Sequence, residues 1–283
     1  MVSLQLYNDR HKDTGWRLFI RTVLGRAYPR VVGYQRELSK IVIDVGLPLI
    51  SLFAYVFVCR AIHAPEVFTG YVILGGAMSA FWLNVLWGMS NQFFWERQMG
   101  NLALYIMAPT SLMAILLGMA LGGIVIASVR AVFIVLIGSW LFHIKFVVAS
   151  VPMVILAFFL TLTALYAIGM MFASLFLMFG REARHFVDIS QDPAYLLSGT
   201  YFPIKSLNFW VAAAASLIPL TLGLDAIRQL VFAGGAKLGF LNPKVEITIL
   251  FVLSLVFIAG ASRSLKYMEE MAAAQGKLTE SRG

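Results

Sequence analysis

The sequence predicts an all-α integral membrane protein with six transmembrane helices, an N-terminal interfacial helix and an external re-entrant hairpin between the last two spans. Of its 283 residues, 60% are hydrophobic and only 13% are charged, whereas soluble domains carry about 25% charged residues. The mean hydropathy is +0.83. Several apolar runs also reach the roughly 20 residues that a helix needs to cross a bilayer.

The amino-acid composition excludes several kinds of site and partner. The chain has a single cysteine, Cys59, and four scattered histidines, so neither a disulfide framework nor a metal site is expected. The net charge is +8. In so apolar a chain, this charge indicates cytoplasmic loops that face anionic membrane lipids, and no nucleic-acid partner is expected. Because the first apolar span begins near Ile41, behind a long basic segment, we expect no cleavable leader.

Residues 1–40 are predicted to be cytoplasmic and to contain the interfacial amphipathic helix. Apolar residues recur there at helical spacing, and arginines occupy the other faces, which suits a headgroup layer. The apolar positions are Trp16, Phe19, Ile20, Val23 and Ala27, and the arginines are Arg17, Arg21 and Arg26. Pro29 is expected to end this helix. The alternative is a soluble helix packed on a partner.

Six apolar spans follow in a transmembrane domain of residues 41–262, before a cytoplasmic tail of residues 263–283. The predicted spans are 41–58, 71–94, 111–138, 147–179, 186–202 and 245–262. The third and fourth are longer than a bilayer requires, so we expect them to tilt or to extend into the cytoplasm.

The distribution of Lys and Arg predicts that both chain ends are cytoplasmic. With this topology, fifteen basic residues lie inside and six lie outside, as the positive-inside rule favours. A seventh full span through residues 207–224 would move the C-terminal basic residues outside and remove the bias. We therefore expect residues 203–235 to form a re-entrant hairpin on the outer side, with breaks at small residues and prolines.

One stretch, "LLSGTYFPIKSLNFWVAAAASLIPLTLGLDAIRQL" (residues 196–230), resembles the permease subunits of type-2 ATP-binding-cassette (ABC) exporters, the ABC-2 permease family. It has the family's order of Ser-Gly, Pro, an aromatic residue, Pro-Leu-Thr and a downstream acidic-Ala-apolar-Arg. The resemblance assigns a re-entrant or gating role to Ser198, Gly199, Phe202, Pro203, Pro219, Asp225 and Arg228.

A second stretch, "WERQMGNLALYIMAPTSLMAIL" between spans two and three, is similar to the family's first cytoplasmic loop, which forms a coupling helix that contacts the ATPase. The resemblance assigns this role to Glu96, Arg97, Gly100, Asn101, Leu104, Pro109 and Thr110. Asn101 can cap a brief helix through Ala108, and Pro109 prevents its fusion with the third span. Family members often have an acidic residue where this chain has Leu102, Ala103 and Leu104.

The chain has no ATPase site of its own in its sequence. The phosphate-binding pattern G-x-x-x-x-G-K-[ST] is absent, and the nearest Gly-Lys pair, Gly276-Lys277, is followed by Leu278. The resemblance implies that the chain is not itself an enzyme, that two permease chains pair with two nucleotide-binding subunits, and that ATP and Mg²⁺ bind there. It also implies a prokaryotic inner-membrane location and an exported amphiphile, such as a drug, a lipid or a lipid-linked glycan.

Polar and aromatic residues inside the predicted spans are candidates for a substrate path. They are Trp82, Asn84, Trp87, Asn91 and Arg130. We expect Arg130 to lie near the outer boundary or to pair with Asp225 or Glu66, and Asp44 to face water at the membrane surface. Glycines within the spans are expected to allow close helix contacts. They are Gly75, Gly76, Gly118, Gly122 and Gly123.

Two other functions stay open at this stage. An ion-coupled carrier or channel would work without an ATPase and would need buried acid pairs, and the sequence suggests no deep acids. A membrane-embedded lipid-modifying enzyme would need a nucleophile or metal cluster, for which His185, Asp188 and Asp192 are the only candidates. A solvated helix start explains those three residues more simply.

Overall fold

The computed structural model describes residues 15–108, 110–179 and 182–274, and these ranges contain helices and no strand. The N-terminal half contains α1 (Trp16–Arg36), α2 (Leu38–Ala61), α3 (Glu66–Leu83), a π-helix (Asn84–Ser90), α4 (Gln92–Gln98), α5 (Asn101–Met107) and α6 (Leu112–Phe142). The C-terminal half contains α7 (Val151–Phe179), α8 (Ala183–Leu197), a 3-10 turn (Ile204–Ser206), α9 (Phe209–Ala215), α10 (Pro219–Val231), α11 (Gly235–Leu238) and α12 (Pro243–Ala274).

Five helical segments in the described part of the chain are long and apolar enough to cross a membrane. They are Leu38–Ala61, Glu66–Gln98, Leu112–Phe142, Val151–Phe176 and Pro243–Met271. They match the predicted spans one to four and six in order and approximate position. The structure therefore supports a multi-pass membrane protein.

The predicted fifth span, residues 186–202, differs from the observed helix α8. This helix has 15 residues and ends at Leu197, so it is about 22 Å long against a hydrocarbon core of roughly 30 Å. The prediction of a helix through residue 202 is wrong, because residues 198–203 form a turn whose carbonyls are satisfied by another part of the chain.

The N-terminal helix α1 is longer than predicted and packs lengthwise on α6. Pro29 lies inside the helix, which continues to Arg36, so the prediction that Pro29 ends it is wrong. A Cβ atom added to Gly118 would lie 2.5 Å from the carbonyl oxygen of Val23, and one added to Gly122 would lie 3.2 Å from that of Ala27. The two helices therefore run in the same direction and touch where α6 has glycine, as the close-contact prediction for these glycines requires.

The segment after α8 is a bent helix pair, α9 and α10, with an angle of 107° between its two helices. Phe209 at the start of α9 contacts Phe240, with ring centroids 5.8 Å apart. At the other end of the pair, Val231 in α10 accepts a hydrogen bond of 2.9 Å from the backbone N–H of Val147, just before α7 begins. Gly223 meets Thr161 in the first half of α7. The pair thus starts and ends near the same end of the bundle and reaches only part-way along it.

The bundle core joins these elements into one body. The helix α12 packs most extensively on α7, and α10, whose residues are all buried, packs on α7, α12 and α3. The short helices α4 and α5 lie at one end of the bundle, beside the start of α6, and the turn after α8 lies toward the opposite end. Candidate residues are therefore found at both ends.

Candidate functional site

A buried carboxylate, Glu96, connects three helices at the end of the bundle that carries α5. Its two oxygens accept hydrogen bonds from Arg26 in α1 at 2.6 Å, from Gln92 in α4 at 2.8 Å, and from Asn101 and Tyr105 in α5 at 3.0 and 2.9 Å. The contact with Arg26 is also an ion pair. Because these donors lie on α1, α4 and α5, the single carboxylate of Glu96 fixes the position of α5 against α1.

The Tyr105 phenol stays a neutral hydrogen-bond donor at physiological pH. Burial, together with its hydrogen bond to Glu96, raises the pKa of Tyr105 to about 12. The Arg26 guanidinium also lies 4.7 Å from the centroid of the Tyr105 ring, a cation–π distance. A second contact, between the hydroxyls of Thr22 in α1 and Thr110 at 3.0 Å, ties α1 to the loop between α5 and α6.

The structure brings together most of the residues predicted to couple to an ATPase, with one corrected role. Gly100 is the N-cap of α5 with a left-handed φ of 75°, which glycine adopts without strain. Asn101 is therefore the first residue of the helix, and its side chain binds Glu96 instead of capping. Arg97 is half-buried at the end of α4, and Pro109 lies outside the described residues.

Four exposed apolar side chains lie on α4, α5 and the turn between them, and we call this set the coupling surface. It consists of Trp95, Met99, Leu104 and Met107, which are 49%, 70%, 59% and 70% exposed. Methionine and aromatic side chains are enriched at protein interfaces. The polar cluster thus holds a short helix in place while its apolar side chains are presented outward.

Sequence reasoning missed Arg26, Gln92 and Tyr105 as members of this cluster. Two of them follow a helical spacing of four residues, Gln92 before Glu96 and Tyr105 after Asn101, which places each pair on one helix face. Arg26 had been assigned only to the polar face of α1. Its link to Glu96 spans 70 residues, and no local pattern reveals it.

A second candidate site centres on Arg228 in α10, which is 1% exposed. Its guanidinium donates to the carbonyl oxygens of Gly199 at 2.6 Å, Thr200 at 2.6 Å, Phe202 at 3.3 Å and Tyr71 at 2.5 Å. Three of these carbonyls belong to the turn that follows α8, and at membrane depth polar backbone outside a helix must be satisfied by protein. Arg228 therefore explains how the chain can turn inside the bundle after α8 ends.

The other predicted gate residues complete this turn. Gly199 has a left-handed φ of 67°, and the hydroxyls of Ser198 and Thr200 lie 2.6 Å apart. Pro203 precedes the 3-10 turn, and Pro219 begins α10, where proline costs no helical hydrogen bond. Gly75 of α3 packs so closely against the turn that an added Cβ would overlap the Thr200 carbonyl.

Two acids, Asp225 in α10 and Glu246 in the first turn of α12, are buried inside the protein. The side-chain amide of Gln229 donates to Asp225 at 3.3 Å and to Glu246 at 3.1 Å. Backbone N–H groups of Phe240 and Leu241 donate to the same two carboxyl groups at 2.8 and 3.1 Å. This network ties α10 to the start of α12.

The predicted substrate-path residues separate into two groups. Asn84, Trp87 and Arg130 line one cleft of about 550 Å³ between α1, α2, the π-helix and α6. Trp82 is buried in the core, and Asn91 is buried with its amide bound to the carbonyl of Leu86 at 3.2 Å. The latter two do not reach the cleft.

Arg130 forms an ion pair with Asp44 at 3.0 Å. The expected pairing with Asp225 or Glu66 is wrong, and Asp44 is engaged in protein contact instead of only facing water. The reason is the register of α2 against α6, which the sequence does not define. Within the cleft, Asn84 accepts from the hydroxyl of Tyr166 at 3.0 Å, and Trp87 donates to Gln191 at 2.9 Å.

The residues considered for a lipid-modifying enzyme form no visible centre. Among the described residues, no group of three or more His, Cys, Asp or Glu side chains is placed to hold a metal ion. His185 is exposed and Asp188 is half-buried on α8, while the side chain of Asp192 lies outside the description.

Comparison with known proteins supplies the family. No curated protein matches the chain. The model of the ABC-2 type transporter family matches residues 30–232, which include α5, the turn after α8, and all of α9 and α10. Because this match covers well over half of the sequence, the chain belongs to the ABC-2 type transporter family.

Proposed function

We propose that this chain, a membrane subunit of an ABC-type transporter, exports an amphiphile with energy from ATP hydrolysed by separate subunits. The observation that carries the proposal is the Glu96 cluster, because it holds α5 rigidly while leaving an apolar coupling surface exposed. A nucleotide-binding subunit that seats on this surface would push on α1, α4 and α5 as one unit. ATP and Mg²⁺ would bind on that partner.

The bent pair α9–α10 supports the proposed topology. In a membrane, a pair that starts and ends near one face is a re-entrant hairpin, and its residue Arg228 would satisfy the carbonyls of the turn that precedes the pair. With this arrangement, both chain ends lie on the cytoplasmic side of a prokaryotic inner membrane, as the distribution of basic residues favours. The coupling surface then faces the compartment that holds ATP.

Two permease chains and two ATPase subunits would form the complete exporter, with the start of α1 on the cytoplasmic side of the membrane. The apolar surfaces and few charges of the spans support a drug, a lipid or a lipid-linked glycan as the cargo over a small ion.

The test is purification of the tagged chain from its native membrane, followed by identification of any bound nucleotide-binding subunit and measurement of its ATPase activity. Leu104→Asp places a charge on the coupling surface, and we expect loss of the partner and of stimulated hydrolysis. Ile62→Asp, at a comparably exposed position in the loop after α2 at the opposite end of the bundle, is the control and should retain both. A wild-type chain that recruits no ATPase, or a Leu104→Asp chain that recruits it normally, would refute the proposal.

An ion-coupled carrier is the second candidate, because Asp225 and Glu246 are a buried acid pair of the kind that such carriers use. Their donors, Gln229 and two backbone N–H groups, favour a structural role in holding α10 on α12. Proteoliposomes with the chain alone and an imposed pH gradient separate the two cases. Substrate accumulation without ATPase would establish the carrier, and accumulation only with ATPase and ATP supports the exporter.

A further inference from the structure

The cleft between α1, α2 and the π-helix has an unbalanced positive charge. Its charged lining consists of three basic side chains and two acidic ones: Arg30, Lys40, Arg130, Glu37 and Asp44. Arg130 pairs with Asp44 at 3.0 Å, and Lys40 lies 3.7 Å from Glu37. These two pairs leave Arg30 as the surplus charge.

Arg30 is held in place without a carboxylate partner in the described part of the chain. Its two terminal nitrogens donate to the backbone carbonyls of Gly88 at 2.9 Å and Met119 at 3.2 Å. A guanidinium has five N–H groups, and these two bonds use one on each terminal nitrogen. Carbonyl dipoles orient the group but do not neutralise it, and a partly buried cation of this kind favours an anionic ligand.

The π-helix makes room for this arginine. A Cβ atom on Gly88 would lie 2.8 Å from the nearest nitrogen of Arg30, so a side chain at this position would displace the guanidinium from where it lies against the helix. π-helical segments are rare and are frequent at functional sites. Leu83, Ile126 and the half-exposed ring of Trp87 add apolar walls to the same cleft.

From this combination we propose that the cleft binds an amphiphile with one anionic group, a lipid phosphate monoester, with the phosphate on Arg30 and the chain along the apolar wall. The inference rests on the proposed function, since it names the cargo class that the exporter collects. Because the cleft lies beside α1, on the side assigned to the cytoplasm, such a lipid would come from the inner leaflet.

Direct binding to the purified full-length chain tests the inference without any ATPase. A fluorescent short-chain phosphatidic acid and its phosphatidylcholine counterpart are titrated into the chain in a neutral detergent. We expect tight binding of phosphatidic acid only. Equal affinity for phosphatidylcholine, or displacement of phosphatidic acid by millimolar inorganic phosphate, would overturn the inference, the latter because a free anion would then suffice.

Two variants locate the site. Gly33 lines the cleft, and an added Cβ would meet open space, so Gly33→Phe fills the cleft without forcing the backbone. Arg30→Gln removes the charge. Each should weaken phosphatidic acid binding by about tenfold or more.

The matched controls are Gly25→Phe, an open glycine elsewhere on α1, and Arg60→Gln, a basic residue of a different cavity. Both should bind within about twofold of wild type. Wild-type affinity in Gly33→Phe, with an unchanged unfolding temperature, would refute the site. A chain that binds the lipid here but activates no ATPase would instead refute only the exporter, and the reverse result would refute only this inference.

Discussion

Arg228 and Glu96 show how single charged residues organise this protein. Each is buried and makes four hydrogen bonds, and all of these except the one between Gln92 and Glu96 join different segments. Burial of a charge is costly unless its hydrogen-bonding groups are satisfied. Their removal should therefore have effects far larger than those of exposed charges.

For Arg228, we expect Arg228→Gln to destabilise the protein by about 3 kcal/mol or more, since several buried carbonyls lose a charged donor. Thermal unfolding in detergent, followed by size-exclusion fluorescence, measures the effect. Arg228→Lys should recover only part of the loss, because an ammonium cannot span the same fork of acceptors.

The control for this change is Lys205→Gln. Lys205 also donates to a carbonyl, that of Lys237 at 2.9 Å, but at an exposed position. Its loss should cost less than about 1 kcal/mol. Equal unfolding temperatures for wild type and Arg228→Gln would contradict the anchoring role.

The role of a residue was predictable where a local sequence motif indicates it. It was not predictable where the residue's partner lies far away in the sequence. The motif containing Gly199, Pro203 and Arg228 indicated a break in the chain, and the structure shows that break. Asn101 looked like a cap because its type and position fit one, but Glu96 competes for its side chain. The Arg130–Asp44 pair depends on the register between helices, which hydropathy does not encode.

At the scale of elements, the contact between α1 and α6 depends on glycine. We expect Gly118→Ala to destabilise the protein by about 1–3 kcal/mol, because the new methyl group would press on the Val23 carbonyl and push α1 outward. Since α1 also carries Arg26, ATPase stimulation should fall as well. Unfolding temperature and coupled hydrolysis are the two measurements.

Gly25→Ala is the control, and we expect it to change the stability of the protein in the opposite direction. Nothing lies within 4 Å of a Cβ atom at Gly25, so alanine should stabilise α1 by about 0.5–1 kcal/mol through helix propensity. If both substitutions shifted the unfolding temperature in the same direction, close packing of α1 on α6 would not be the cause.

The long spans were predictable because the length of an apolar run is a local property of the sequence. The ends of α1 and α8 were not. Pro29 usually ends a helix, but packing on α6 holds α1 together beyond it. After α8 ends at Leu197, the carbonyls of the turn at residues 199–202 bond to Arg228, which is supplied by a segment about thirty residues later.

At the scale of the whole molecule, the topology can be tested through the single cysteine. In a Cys59→Ser background, Lys205→Cys and Trp210→Cys should react with a membrane-impermeant maleimide on intact cells. Lys277→Cys should react only after the cells are permeabilised. Labelling of position 277 from outside would reverse the topology and place the coupling surface away from ATP.

The dependence of the turn at residues 198–203 on Arg228 also has a consequence for biosynthesis. The turn leaves the ribosome before its arginine does, so during translation its carbonyls have only water, lipid or the insertion machinery as partners. A nascent chain arrested before residue 228 should be held at the translocon or degraded, and one arrested after α10 has emerged should be released and protected from proteases. Cellular quality control would thus retain or degrade the nascent chain until Arg228 is available to bind the turn.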